Sequence, residues 1–204
     1  LKLYYANGTI SIAVAIALHE AGIDYDAVRV DFASGEQTRP PYHAINPKGR
    51  VPALETPDGI LTETGAILDY VNAIRPEAGL VPADPYLAGR MRELMYYLAS
   101  TMHVNHAHKM RGPRWATLQS SFDDMAAKVP ETMQASALHV ETHYPLAPFV
   151  LGDAVTLADA NLYVVANWLP GDGVDMAEFP RLSAFMAEMG KRDSVVKARD
   201  LGMI

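Results

Sequence analysis

The sequence predicts a chain in two parts, an α/β domain over residues 1–78 and an all-helical domain over residues 85–204. Three observations carry this. In the first part, short runs with apolar residues at alternate positions are interleaved with two runs of helical character. Glu77–Pro85 then holds a glycine and two prolines with little periodicity, which marks a linker. Beyond it, apolar residues recur only with the period of a helix.

Lys2–Tyr5 reads as a strand with Leu3 and Tyr5 on one face. Ser11 to Ala21 is rich in Ile, Val, Ala and Leu and stops at Gly22, a helix with a glycine end. Its apolar residues lie all round, so burial on more than one side is expected. Tyr25–Phe32 alternates through Val28, Val30 and Phe32, a second strand. Ala33–Tyr42 is polar with two prolines, a loop or short helix. Val51–Thr56 is a third strand, Pro57-Asp58-Gly59 a turn, and Ile60–Thr62 a short fourth strand. Thr64–Ile74 is a helix that ends before Pro76. Strand–helix–strand followed by strand–strand–helix is the order of a thioredoxin-like unit.

In the second part, Met91, Leu94, Met95, Leu98 and Met102 form one stripe of a long helix. Phe122–His143 gives another helix, with Pro130 a kink or break, and Thr156–Trp168 and Arg181–Lys191 follow. Thr156-x-x-Asp159 has the spacing of a reciprocal helix cap.

Composition removes several functions. Net charge is −7 and no basic run is present, so nucleic acid is not expected as a partner. No apolar run reaches the roughly 18 residues of a membrane span. No charged-then-apolar leader precedes Lys2–Tyr5, so the expected location is cytoplasmic. There are no cysteines, which excludes disulfides and protein thiol chemistry.

Two segments carry the functional signal. Residues 46–54 read Asn-Pro-Lys-Gly-Arg-Val-Pro-Ala-Leu: a turn delivering an extended run that starts with Pro52. Proline cannot donate to a ladder, so this strand begins at an edge or carries an unusual peptide bond. Glu63-Thr64-Gly65-Ala66-Ile67-Leu68 places an acid and a hydroxyl at a helix N-terminus, where carboxylates and phosphates are attracted. A free backbone beside Val51-Pro52 and an anion-binding helix end together suit a short peptide.

These segments resemble the glutathione site of cytosolic glutathione transferases, and the resemblance runs the whole chain. Lys2-Leu3-Tyr4-Tyr5 with Gly8 and Ser11 is similar to the family's first strand and helix. Asn46–Pro52 is similar to the loop carrying its cis-proline, and Glu63–Ile67 to its Glu-Ser-x-Ala-Ile motif with threonine for serine. Leu151-Gly152-Asp153 and Thr156-Leu157-Ala158-Asp159-Ala160 are similar to the capping motif of its second domain.

The resemblance implies a glutathione transferase fold, a homodimer, and glutathione as co-substrate without a metal. Val51 and Pro52 would pair with the cysteinyl backbone of glutathione. Glu63 and Thr64 would take its γ-glutamyl end, and Lys48 or Arg50 its glycyl carboxylate. The start of the chain resembles the bacterial beta class, which has a cysteine two residues after the glycine; Ile10 stands there instead. A hydroxyl at the start of the first helix would then stabilise the thiolate, by hydrogen bond and by helix dipole. Ser11 is favoured, with Thr9, Tyr5 and backbone N–H groups as alternatives.

On the helical domain, His103 falls where the beta class lines its active site with histidine, and the resemblance implies a catalytic role for it, donating to the thiolate or to the electrophile. Helical spacing puts Tyr96, His103 and His106 on one polar stripe. His103-x-x-His106-x-His108 invites a metal reading. No carboxylate or cysteine accompanies it in sequence, so none is expected. Met110 and Trp115, with Phe122 and Trp168, are candidates to wall an electrophile pocket. The leading function is conjugation of glutathione to a small electrophile. The alternatives are reduction of peroxides or disulfides without a protein cysteine, and non-catalytic glutathione binding as a carrier or regulatory protein.

Overall fold

The computed structural model describes residues 1–204. They form two compact units, one made of Leu1–Pro82 and Gly190–Ile204, the other of Ala83–Met189.

The first unit is built on a four-stranded mixed sheet. Strands β1 (Lys2–Tyr5), β2 (Asp26–Arg29), β3 (Ala53–Thr56) and β4 (Gly59–Thr62) lie in the order β2-β1-β3-β4. β1 and β2 are parallel, joined by helix α1 (Ser11–Glu20); β3 runs antiparallel to β1 and to β4. The alternation in 28–32 extends past β2, and Val30 N–H still donates to the Tyr5 carbonyl at 2.7 Å. A single turn, α2 (Pro40–His43), precedes β3, and α3 (Thr64–Ile74) closes the unit's first segment with the boundaries its sequence predicts. This is the thioredoxin-like arrangement.

α1 is buried from Ser11 to Leu18, because it packs on β1, on α3 and on α9 (Asp193–Asp200). Its all-round apolar composition follows from those three neighbours. The C-terminal stretch, expected with the helical domain, therefore groups with the sheet. Leu1 to Pro82 alone would leave one face of an apolar helix uncovered.

The second unit is helical throughout: α4 (Pro85–Tyr97), α5 (His103–His108), α6 (Gln119–His143), α7 (Leu157–Ala166) and α8 (Pro180–Met189). Met91, Leu94, Met95, Leu98 and Met102 are all buried, as their stripe requires. Leu98–Met102 is a π-helical turn between α4 and α5. α6 continues through Pro130. α7 is buried along its whole length and starts with the predicted reciprocal cap. Asp159 accepts from Thr156 N–H, Thr156 Oγ1 and Val150 N–H, each at 2.7 Å.

Candidate functional site

Strand register assembles one end of the sheet. Tyr4 pairs with Ala53, and Ala53 with Thr62. Extending each strand beyond its last pair brings the Ala6–Ser11 turn, Val51 and Thr64 to that same end.

The Val51–Pro52 bond is cis, and both residues are buried. Val51 lies outside the ladder, whose pairing begins at Ala53. The loop before it is fixed through the Arg50 carbonyl, which accepts from Tyr42 Oη at 2.7 Å and Asn46 Nδ2 at 2.6 Å. Burial pushes the Tyr42 phenol up to about 12, so it remains a donor across the neutral range. The Arg50 side chain itself is exposed.

α3 starts without a side-chain cap. Its first intrahelical bond runs from Ile67 N–H to the Glu63 carbonyl at 3.0 Å, so the amides of the preceding turn point outward beside the Thr64 hydroxyl. Glu63 has φ 71°, ψ 122°, a backbone conformation uncommon for a residue with a side chain. Its carboxylate pairs with Lys48 Nζ, which also donates to Thr62 Oγ1 at 2.7 Å. The two groups expected at opposite ends of a bound tripeptide thus satisfy each other here, in an exposed ion pair of small intrinsic value.

α1 also starts without a side-chain cap. Ile10 is the buried residue preceding it. Ser11 is fully buried: its Oγ accepts from Ala6 N–H at 3.2 Å and lies 2.7 Å from Thr9 Oγ1. Thr9 Oγ1 donates to the Ala6 carbonyl at 2.7 Å, and Thr9 is only half-buried. The position that favours Ser11 in the sequence, first in the helix, turns its hydroxyl inward. Thr9 stands outside it. The Tyr5 side chain is buried at the end of β1.

In the helical unit, His106 and His103 flank Trp168. The His106 ring stacks on the indole at 4.3 Å and 20°, and the His103 ring meets it edge-on at 5.0 Å. His106 Nδ1 lies 2.6 Å from Asp172 Oδ2, on a carboxylate that is 1% exposed. Lys109 Nζ donates to Asp172 Oδ1 at 3.3 Å and also to the Gly171 carbonyl. His108 packs edge-on against Trp115 at 4.6 Å. Tyr96 and Met110 are largely exposed. The expected Tyr96–His103–His106 stripe assumes a continuous α-helix; the wider π turn at Leu98–Met102 breaks that angular count.

The profile of the glutathione S-transferase N-terminal domain matches residues 1–73, and that of the C-terminal domain residues 112–193. A zeta-class glutathione S-transferase of Euphorbia esula is 42% identical over 189 residues, covering 89% of this chain and 82% of that protein. The chain belongs to the glutathione transferase family, a family of transferase enzymes. Glutathione S-transferase GstA of Escherichia coli O157:H7 is 28% identical over 201 residues, 97% of this chain and 96% of that one. A crystal structure of a glutathione transferase homologue from Sulfitobacter, with bound glutathione, is 62% identical with a TM-score of 0.98, covering 100% of this chain and 98% of that one.

Two features of this family member escape sequence reasoning. Asp172, the acceptor for His106 and Lys109, lies 66 residues from His106 in a Pro-Gly-Asp-Gly turn that reads as loop. Asn7 and Gly8 bond to the C-terminal segment, with Asn7 Nδ2 2.7 Å from the Gly202 carbonyl. Neither pairing has a local signal.

Proposed function

We propose that this chain conjugates the glutathione thiolate to small electrophiles. The observation that carries the reading is the pair of uncapped helix starts, α1 and α3, at the sheet end where Val51 leaves the ladder. The α3 amides and the Thr64 hydroxyl suit the γ-glutamyl carboxylate, and Glu63 its ammonium. Val51 pairs its backbone with the cysteinyl residue. Lys48, released from Glu63, or Arg50 takes the glycyl carboxylate.

The sulfur then lies at the start of α1. Thr9 is the direct donor, because it is the more exposed hydroxyl of the pair. Ser11 backs it: when Thr9 turns its proton to the sulfur, Ser11 donates to the Thr9 oxygen and polarises it. A thiol of pKa near 8.5 is held as thiolate by this donor and by the helix dipole. With Ile10 where the beta class has cysteine, no mixed disulfide with the protein forms, and the thiolate attacks the electrophile directly.

His103, with His106, Trp115, Tyr96 and Met110, belongs to the helical surface that receives the electrophile in this reading. The protein works as a cytoplasmic homodimer, and a monomeric mass by light scattering at micromolar concentration contradicts that. Turnover with a chlorinated aromatic tests the reaction. Activity confined to cumene hydroperoxide makes the protein a glutathione peroxidase instead. Binding without turnover of either makes it a carrier.

A further inference from the structure

We propose that residues 192–203 form a bracket that positions the Asn7–Ser11 turn, and that Asn7 is a positioning residue for thiolate formation. The inference rests on the reading that this turn holds the glutathione sulfur.

One segment grips both ends of α1. At the C-terminal end, Arg192 donates from Nε and a terminal nitrogen to the two carboxylate oxygens of Glu20, each at 2.6 Å, and Ser194 Oγ donates to the same carboxylate at 2.5 Å. At the N-terminal end, Asn7 Nδ2 donates to the Gly202 carbonyl at 2.7 Å and Gly8 N–H to the Met203 carbonyl at 2.9 Å. α1 is about 15 Å long at 1.5 Å per residue, so the grips are a helix length apart. The bracket between them is closed by its own hydrogen bonds. α9 closes with Gly202 N–H on the Arg199 carbonyl at 2.8 Å and Met203 N–H on the Ala198 carbonyl at 3.0 Å, with Gly202 at φ 65°. Met203 is fully buried.

Within the turn the backbone closure, Thr9 N–H to the Ala6 carbonyl, is long at 3.3 Å; the shorter hold is the Thr9 hydroxyl on that carbonyl at 2.7 Å, which is given up when Thr9 donates to the sulfur, and Gly8 sits at φ 68°. That left-handed conformation costs glycine little and is equally easily lost. α1 itself is secured by its buried apolar residues, so releasing the tail loosens the turn without unfolding the helix. A donor set that stabilises a thiolate works only within a few tenths of an ångström of its target.

The test compares the whole chain with Asn7→Ala and with a chain lacking Gly202–Ile204. It reads Gly8 amide hydrogen exchange, the pH titration of bound glutathione's thiolate absorbance, and KM for glutathione. Both variants are expected to exchange Gly8 faster while α1 core amides stay protected. Both should raise the bound thiol's pKa and raise KM about three- to tenfold, the range set by one lost hydrogen bond. Asn7→Ala in the shortened chain should add nothing, because its acceptor is gone. If the shortened chain does not fold, Asn7→Ala alone decides. Unchanged Gly8 exchange and thiol pKa, with only thermal stability lowered, overturns the bracket as a positioning device. Absence of glutathione binding to the unaltered chain by calorimetry overturns the underlying site reading instead.

Discussion

Arg192 holds Glu20 through both carboxylate oxygens at 2.6 Å, across 172 residues of sequence. Burial raises the Glu20 pKa, but the Arg192 fork and the Ser194 hydroxyl outweigh it, so the carboxyl titrates below its usual range. A folded pKa below the unfolded value gives stability that is complete above the unfolded pKa, near 4.3, and is lost as pH falls through the folded one. Arg192→Ala should cost about 2 kcal/mol at neutral pH, below the figure for a fully buried pair because the arginine side chain is 35% exposed. The cost should shrink below about pH 4. Urea unfolding at pH 7 and pH 3.5 checks both, and a cost independent of pH contradicts the assignment.

Asp159 behaves in the opposite sense. Burial pushes its carboxyl up to about 6, although Val150 and Thr156 donate to it. A folded pKa above the unfolded value means that its contribution is full below about pH 3.9 and declines as pH rises through 6. Asp159→Asn should therefore cost more at pH 4 than at pH 7, with the two costs differing by about 2–3 kcal/mol. Denaturant midpoints of both proteins at the two pH values give the answer. A cost that grows with pH would show the ionised form to be the favoured one.

Asp172 is the shared acceptor of His106, which stacks on Trp168, and of Lys109. Asp172→Ala should destabilise the protein by about 1.5–3 kcal/mol, the range for hydrogen bonds to a charged group. In a Trp115→Phe background it should also shift Trp168 emission to longer wavelength, since the stacked imidazole loses its anchor. Emission identical to the parent would mean that Trp168 alone holds His106.

Thr64→Ala removes a hydroxyl from an uncapped helix start but leaves the α3 amides in place. Glutathione affinity should fall by about 1–2 kcal/mol. Calorimetry measures this directly, and unchanged affinity moves the γ-glutamyl carboxylate elsewhere.

Features governed by local rules were legible in the sequence. α3 shows its start in Glu63-Thr64 and its end before Pro76, and the capping box shows itself in Thr156 and Asp159. Buried stripes such as Met91 to Met102 follow from helical period. The π turn at Leu98–Met102 has no such signature, so the side-chain directions beyond it could not be counted from Tyr96. Hydroxyl direction was equally hidden: helix position favours Ser11, but the Ala6 amide turns its oxygen inward and leaves Thr9 on the outer side of the turn. Glu20 with Arg192, and Asn7 with Gly202, pair through tertiary packing alone.

In the proposed reaction the Thr9–Ser11 pair at the start of α1 holds glutathione as thiolate. The most direct measurement is the ultraviolet thiolate titration of bound glutathione in the unaltered protein, Thr9→Ala and Ser11→Ala. The unaltered protein should titrate well below the free thiol's value of about 8.5. Thr9→Ala should move the pKa back toward that value and slow turnover on the order of 10²-fold, the usual effect of one lost donor to a developing anion. Ser11→Ala should move it less and lower stability as well, since Ala6 N–H loses its acceptor. Identical titrations in all three proteins would rule out the hydroxyl pair as the thiolate's donor and leave the thiolate to backbone amides and the helix dipole.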